Sequence, residues 1–217
     1  MRGESKKRIS EVALALFSER GYDGTSMSDI AAELGITKAA LYKHYAGKRE
    51  IFESITERMR TTDFENADAH EMPTDAPQSG RAAYDGTTAE EIRAYSMAQF
   101  CYWTEEEFPS RFRKMLTVEQ YHDPEMARLY RDYLAGGPLD YMAAIFRGTS
   151  ASDADAMQKA LEFYAPMFLL YSVYDGAEDK TYAKRLLADH IDCFFGIYEK
   201  HNKNESNIYK ISVLAKI

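Results

Sequence analysis

The chain has 217 residues, of which 45% are hydrophobic and 29% charged, with 12 glycines and 6 prolines. That composition excludes a wholly disordered chain and a fibrous repeat. The net charge of −8 argues, as a whole-chain average, against nucleic acid, because a polyanion is bound by a positive footprint.

The average hides a change of sign. Residues 1–60 carry 11 basic and 9 acidic side chains, net +2, and the rest of the chain carries −10. Such asymmetry points to two units with different partners. The two cysteines, Cys101 and Cys193, form no CxxC pair, and a disulfide-stapled secreted module is not expected. No stretch resembles a signal peptide or a membrane span. The expectation is a cytoplasmic protein without a membrane partner.

In chain order, Ile9, Val12, Ala13, Leu16 and Phe17 recur at helical spacing, which predicts a helix over 4–20 stopped by Gly21. Ser26-Met27-Ser28-Asp29 has the form of a capping box opening a short helix through Ile30, Ala31 and Leu34. Gly35 suits a left-handed stop, and Ile36 is expected to be a buried pin in the turn. Thr37 caps a third helix over 38–45, with Leu41 and Tyr45 inward. Gly47 caps a fourth, with Ile51, Phe52 and Ile55 inward. Two short helices joined by a glycine-containing turn and braced by longer ones form a helix-turn-helix layout.

The run from Gly21 to Tyr45, with Gly47-Lys48-Arg49-Glu50-Ile51-Phe52 after it, resembles the DNA-binding domain of TetR-family transcriptional regulators. The resemblance covers about residues 5–55. It implies an N-terminal helix-turn-helix DNA-binding domain (1–60). Beyond Arg60 the family varies widely, and the layout of the chain gives a connecting segment (61–88), a helical effector-binding and dimerisation domain (89–201) and a tail (202–217), all-α throughout. It also implies a homodimer on a palindromic double-stranded DNA operator, with a small-molecule effector and no cofactor.

Outward residues of the third helix are Lys38, Ala39, Tyr42 and Lys43. Lysine can donate to guanine O6 and N7, so Lys38 is the candidate base reader. The resemblance implies that Tyr42, His44 and Lys48 hold phosphates. Ser26 and Thr37 stand at helix starts that favour phosphate, and Lys6, Lys7 and Arg8 form a basic arm. Ala40 stands where the family often has a hydroxyl residue.

From 61 to 88 the pattern decays around Pro73, Pro77, Gly80 and Gly86, although part of this stretch could extend the fourth helix. The second unit reads as helices throughout: 89–107, broken by Pro109; 110–121; 124–134; a resumption after Gly136-Gly137-Pro138 to Phe146; 152–174 with a kink at Pro166; and 181–201. Phe163, Phe168, Tyr171, Leu187, Ile191, Phe194, Phe195 and Tyr198 are the candidate dimer interface, by four-helix packing of the last two helices. Candidate pocket residues are Gln99, Tyr102, Trp103, Phe112, Met115, Tyr121, His122, Met167 and Tyr171. Aromatic and methionine side chains suit an apolar pocket, and they equally suit a core.

Enzymatic constellations are sparse. Glu119-x-x-His122 and His190-x-x-Cys193 each offer two ligands where a metal site needs more, and no Walker A, GxSxG or HExxH motif occurs. The expectation is no catalytic residue and no metal. The alternatives are a helical small-molecule-binding protein or a metal-dependent enzyme without a transcriptional role. Repression is expected over activation.

Overall fold

The computed structural model describes residues 2–69 and 87–196. These form ten α-helices and one short 3-10 turn, with no strand among the described residues. Helix α1 (Arg2–Arg20) buries Ile9, Ala13, Leu14, Leu16 and Phe17. Its helical start absorbs Lys6, Lys7 and Arg8, so they form no free arm. Tyr45 fastens that first turn: its hydroxyl donates to the Lys6 carbonyl at 3.3 Å, and the Lys6 ammonium lies 4.8 Å from its ring centroid.

The next helices start where side chains satisfy orphan N–H groups. The hydroxyl of Ser26 accepts from Asp29 N–H at 3.2 Å, and the Asp29 carboxylate accepts from Ser26 N–H at 2.8 Å. This is the predicted capping box, and it opens α2 (Met27–Glu33). Thr37 accepts from Ala40 N–H at 3.1 Å and opens α3 (Lys38–Tyr42). Leu41 and Tyr45 are buried as expected. Ile36 is not the expected pin and is 38% exposed. The turn is closed by backbone instead, with Gly35 and Ile36 N–H donating to the Ala32 and Ala31 carbonyls at 3.0 Å each.

Helix α4 (Lys48–Ala69) runs past Arg60 without a break. The first third of the connecting segment is therefore helix, and residues 70–86 lie outside the described ones. Ile51, Phe52, Ile55 and Met59 are buried on its inner side.

In the second unit, Thr88 and Glu91 form another capping box at the start of α5 (Ala89–Glu105). The break after α5 falls at Glu106, upstream of the predicted one. Pro109 belongs to the first turn of α6 (Glu107–Glu119), where its missing N–H leaves no bond unmade. Asp123 caps α7 (Pro124–Leu134), and Gly136, Gly137 and Pro138 form the first turn of α8 (Gly136–Phe146). Ser152 caps α9 (Asp153–Gly176), which continues through Pro166. Helix α10 (Lys180–Phe194) ends earlier than the periodicity predicts, because Gly196 takes a φ of 67° that terminates it. The tail at 202–217 lies outside the described residues.

The buried apolar residues form one continuous cluster from head to body. Helix α1 packs on α4 and α6, and α9 packs on α8, α10 and α5. Two polar tethers join the units. Tyr22 N–H donates to the buried carboxylate of Glu119 at 3.0 Å. Arg49 Nη2 donates to Glu125 Oε1 at 2.7 Å. Gly21 makes the first tether possible. Its φ is 80°, and a Cβ there would stand 2.8 Å from Glu119 Oε1. Gly21→Ala is expected to lower unfolding stability by about 2 kcal/mol, from left-handed strain and a strained tether. Urea unfolding checks this, and an unchanged midpoint would show that the turn and carboxylate adjust freely.

Candidate functional site

The head presents one polar face. Ser26, Thr37, Lys38, Ala39, Tyr42 and Lys43 are all exposed. They stand on the side of α2 and α3 opposite Ile30, Ala31 and Leu41, which are buried. The Lys38 ammonium is 6.0 Å from the Tyr42 ring centroid, so a cation and a hydroxyl share this surface. Two candidates sit differently. His44 is half-buried, and its Nδ1 has no hydrogen-bond partner among the described residues. Lys48 is also half-buried. Its ammonium donates to the Tyr22 carbonyl at 2.6 Å and lies 4.1 Å from the Tyr22 ring centroid and 3.9 Å from the Asp23 carboxylate. It clamps the turn between α1 and α2, with N–H donors to spare.

A cavity of about 470 Å³ opens in the body, a size that suits a small organic molecule. Of the candidate pocket residues, Gln99, Trp103, Met167 and Tyr171 line it. Tyr102, Phe112 and Met115 are buried, but they do not line it. Tyr121, at 81% exposed, and the exposed His122 lie at the corner before α7. Phe163, a candidate interface residue, also lines the cavity. Sequence reasoning missed Asp63, Phe64 and Ala67 from α4, and also Tyr95, Tyr133, Tyr141 and Tyr164. The α4 set fell in a stretch read as a connector. The tyrosines carry the same helical spacing as core residues, and no sequence signal separates the two.

The electrostatics of the cavity follow from burial. Desolvation raises the Tyr95 and Tyr133 hydroxyls to about 12 and pushes Tyr171 and Tyr164 up as well. The rings are therefore neutral at physiological pH. Desolvation also lifts the Asp63 carboxyl to about 6. Arg113 fixes one wall: it donates to the Trp103 carbonyl at 2.9 Å and to both oxygens of Asp175 at 2.8 and 2.9 Å, and it stacks over Tyr171.

Among the described residues, no three His, Cys, Asp or Glu side chains gather as a metal site. Glu119 serves Tyr22, and the His190 ring nitrogen meets the Phe163 carbonyl at 2.9 Å. No helix of the described residues is long and apolar enough to cross a membrane.

Of the candidate interface residues, Phe163, Leu187 and Ile191 are buried within the chain, and Phe194 and Phe195 are half-buried against Phe146 and Phe163. Phe168 is exposed, and Tyr198 lies outside the described residues. The other exposed apolar side chains of α9 and α10 are Met157, Leu161, Leu169, Tyr182 and Leu186.

Residues 9–55 match the family model of bacterial regulatory proteins of the tetR family. Two similar curated proteins are biofilm operon icaADBC negative transcriptional regulators named IcaR. The one from Staphylococcus epidermidis is 48% identical over 52 residues, covering 24% of this chain and 28% of that protein. The one from Staphylococcus aureus strain Newman is 50% identical over 48 residues, covering 22% and 26%. The chain thus spans little more than a quarter of these relatives' length. Solved structures extend the fold likeness to nearly the whole chain. A SmeT–triclosan complex superposes with a TM-score of 0.62 at 19% identity, covering 89% of this chain and 91% of that one. The TetR-family regulator PfmR from Thermus thermophilus superposes with a TM-score of 0.58 at 23% identity, covering 86% and 96%. At these identities the structural likeness speaks for the fold alone. Residues 9–55 thus resemble the tetR family of bacterial regulatory proteins, and the rest of the chain shares the fold of the solved structures.

Proposed function

We propose that the protein is a one-component transcriptional repressor that grips a palindromic operator as a homodimer and releases it when a small molecule occupies the cavity. The observation that carries this reading is the exposed face of α3. Lys38, Ala39, Tyr42 and Lys43 are free on a helix whose other side is anchored by Leu41. In the helix-turn-helix docking mode such a face enters the major groove. Lys38 reads base edges, Ala39 keeps the backbone close, and Tyr42 and Lys43 donate to phosphates. Thr37 accepts its cap bond, so its hydroxyl hydrogen is left for a phosphate. Ser26, His44 and Lys48 flank the same path. The negative regulators matched by the head favour repression. Binding chromosomal DNA requires a cytoplasmic location, and no step calls for catalysis or a metal.

Dimerisation uses the exposed apolar stripe of α9 and α10, of which Leu169 is 63% exposed. A surface of this kind is expected to be covered by a partner, and a second copy supplies the two-fold axis that a palindrome matches. Release follows if the effector prefers a head spacing that no longer matches the two half-sites. The route is α4, which begins in the head core and lines the cavity with Asp63, Phe64 and Ala67.

Titration of the full chain against its own upstream DNA tests this reading. Lys43→Ala is expected to weaken all DNA binding and reduce the salt slope by about 1. Lys38→Ala is expected to relax specificity at one position, with a loss of about 1–3 kcal/mol on the cognate site. Failure to bind any palindromic site at low salt would sink the proposal. Leu169→Asp is expected to shift the sedimentation profile from dimer to monomer without loss of helix content. A dimer that survives this change would place the interface elsewhere.

A further inference from the structure

The cavity wall is unusual in its charge and its rings. The carboxylates along it are Asp63, Asp132 and Asp140, and Arg60 is the basic residue among the described lining residues. Arg60 stands at the cavity's exposed rim: its guanidinium bonds Glu57 at 3.1 Å with both side chains mostly exposed, and it also meets the Tyr133 hydroxyl. Asp132 is likewise paired, with Arg131 at 3.0 Å. Asp63 is half-buried, and among the described residues it has no ion pair. Around it stand aromatic rings, with Trp103 and Tyr133 edge to face at 6.1 Å and Tyr95 and Tyr141 at 6.2 Å. Gln99 adds an acceptor. Its amide donates to Tyr95 Oη at 2.6 Å, and its Oε1 is buried without a hydrogen-bond partner among the described residues.

We propose that the cavity takes an organic cation, a substituted ammonium carrying an apolar or aromatic group, with its charge held between Asp63 and the faces of the surrounding rings. This rests on the reading of the cavity as the effector site and specifies the chemistry of the effector. Each class of ligand meets these walls differently. An anion faces three carboxylates and one guanidinium whose charge Glu57 already offsets. A neutral apolar molecule displaces water from Asp63 and leaves that charge buried and unpaired, which is costly. A cation gives Asp63 its missing partner and is attracted by the negative faces of the rings. Desolvation already raises the Asp63 proton affinity, so the empty site carries a penalty that a cation relieves. Neutral tyrosines line the rest, and they accept a cation without titrating. The cavity volume of about 470 Å³ accommodates an ammonium with a ring or alkyl tail.

The test uses the full-length protein and three probes of similar size: benzyltrimethylammonium, benzyl alcohol and benzoate. Affinities are read by calorimetry. The cation is expected to bind at least tenfold more tightly than benzyl alcohol, and benzoate is expected not to bind at millimolar concentration. Asp63→Asn is expected to weaken the cation at least tenfold while leaving benzyl alcohol unchanged. Because that substitution removes an unpaired charge, the variant is expected to melt no lower than the parent, which separates lost binding from lost folding. Three results would overturn the proposal: no binding of the cation at millimolar concentration, equal affinity for benzyl alcohol, or an Asp63→Asn variant with undiminished cation affinity. A gel shift with the upstream DNA separates this proposal from the repressor reading. A cation that binds through Asp63 without displacing DNA upholds the ligand class and defeats the release mechanism. Displacement by benzyl alcohol with no effect of the cation does the reverse.

Discussion

Helix α4 belongs to two units at once, and much of the molecule's behaviour depends on that. Its first turns carry Ile51, Phe52 and Ile55, which close the head core. Its last turns carry Asp63, Phe64 and Ala67 on the cavity. At 22 residues it is about 33 Å long, and its backbone bonds make it far stiffer than a loop. In the proposed release, a side chain pressed aside in the cavity tilts a rod whose other end is embedded in the head core. Packed cores favour discrete arrangements over gradual deformation, so such a tilt has a small number of end points.

The polar contacts between the units work against that movement at a second place. Glu119 holds Tyr22, and Glu125 holds Arg49, both at the corner where α6 gives way to α7. The two tethers differ in strength. Glu119 is buried, and leaving its partner N–H unpaired is costly. Arg49 is half exposed and its pair with Glu125 is screened by salt. One tether behaves as a pivot and the other as a contact that yields. The acidic body also contributes at long range. Its net −10 would repel phosphate, so in the proposed complex it favours encounters that lead with the head.

The parts legible in the sequence were those where chemistry is local. The Ser26–Asp29 box, the Thr37 cap, the Asp153 start after Ser152 and the stop at Gly21 all follow from residues within a few positions of one another. Ile36 was misread because its burial depends on what packs over the turn, and backbone bonds to Ala31 and Ala32 hold the turn without it. The cavity was legible only in fragments. Phe112, Met115, Trp103 and Met167 have the same spacing on their helices, yet the first two fill the core and the others line a space. That distinction depends on where α4 and α8 lie, and no single helix encodes it. Phe163 shows the same limit. Helix α9 has neighbours on several sides, so an apolar residue on it faces a partner subunit, a cavity or the core according to its rotation. Asp63 was invisible because, even with the fourth helix extended into this stretch, no local signal shows which of its residues meet a cavity built by distant helices.

Trp103 is the chain's one tryptophan. It stands on the cavity wall with its ring 6.1 Å from Tyr133, and its carbonyl is bonded by Arg113. The indole is the side chain whose emission responds most to local polarity, and here no second indole dilutes the signal. The protein thus contains its own optical gauge. Its near-ultraviolet fluorescence is a readout of that cavity's filling which requires neither a label nor DNA in the assay.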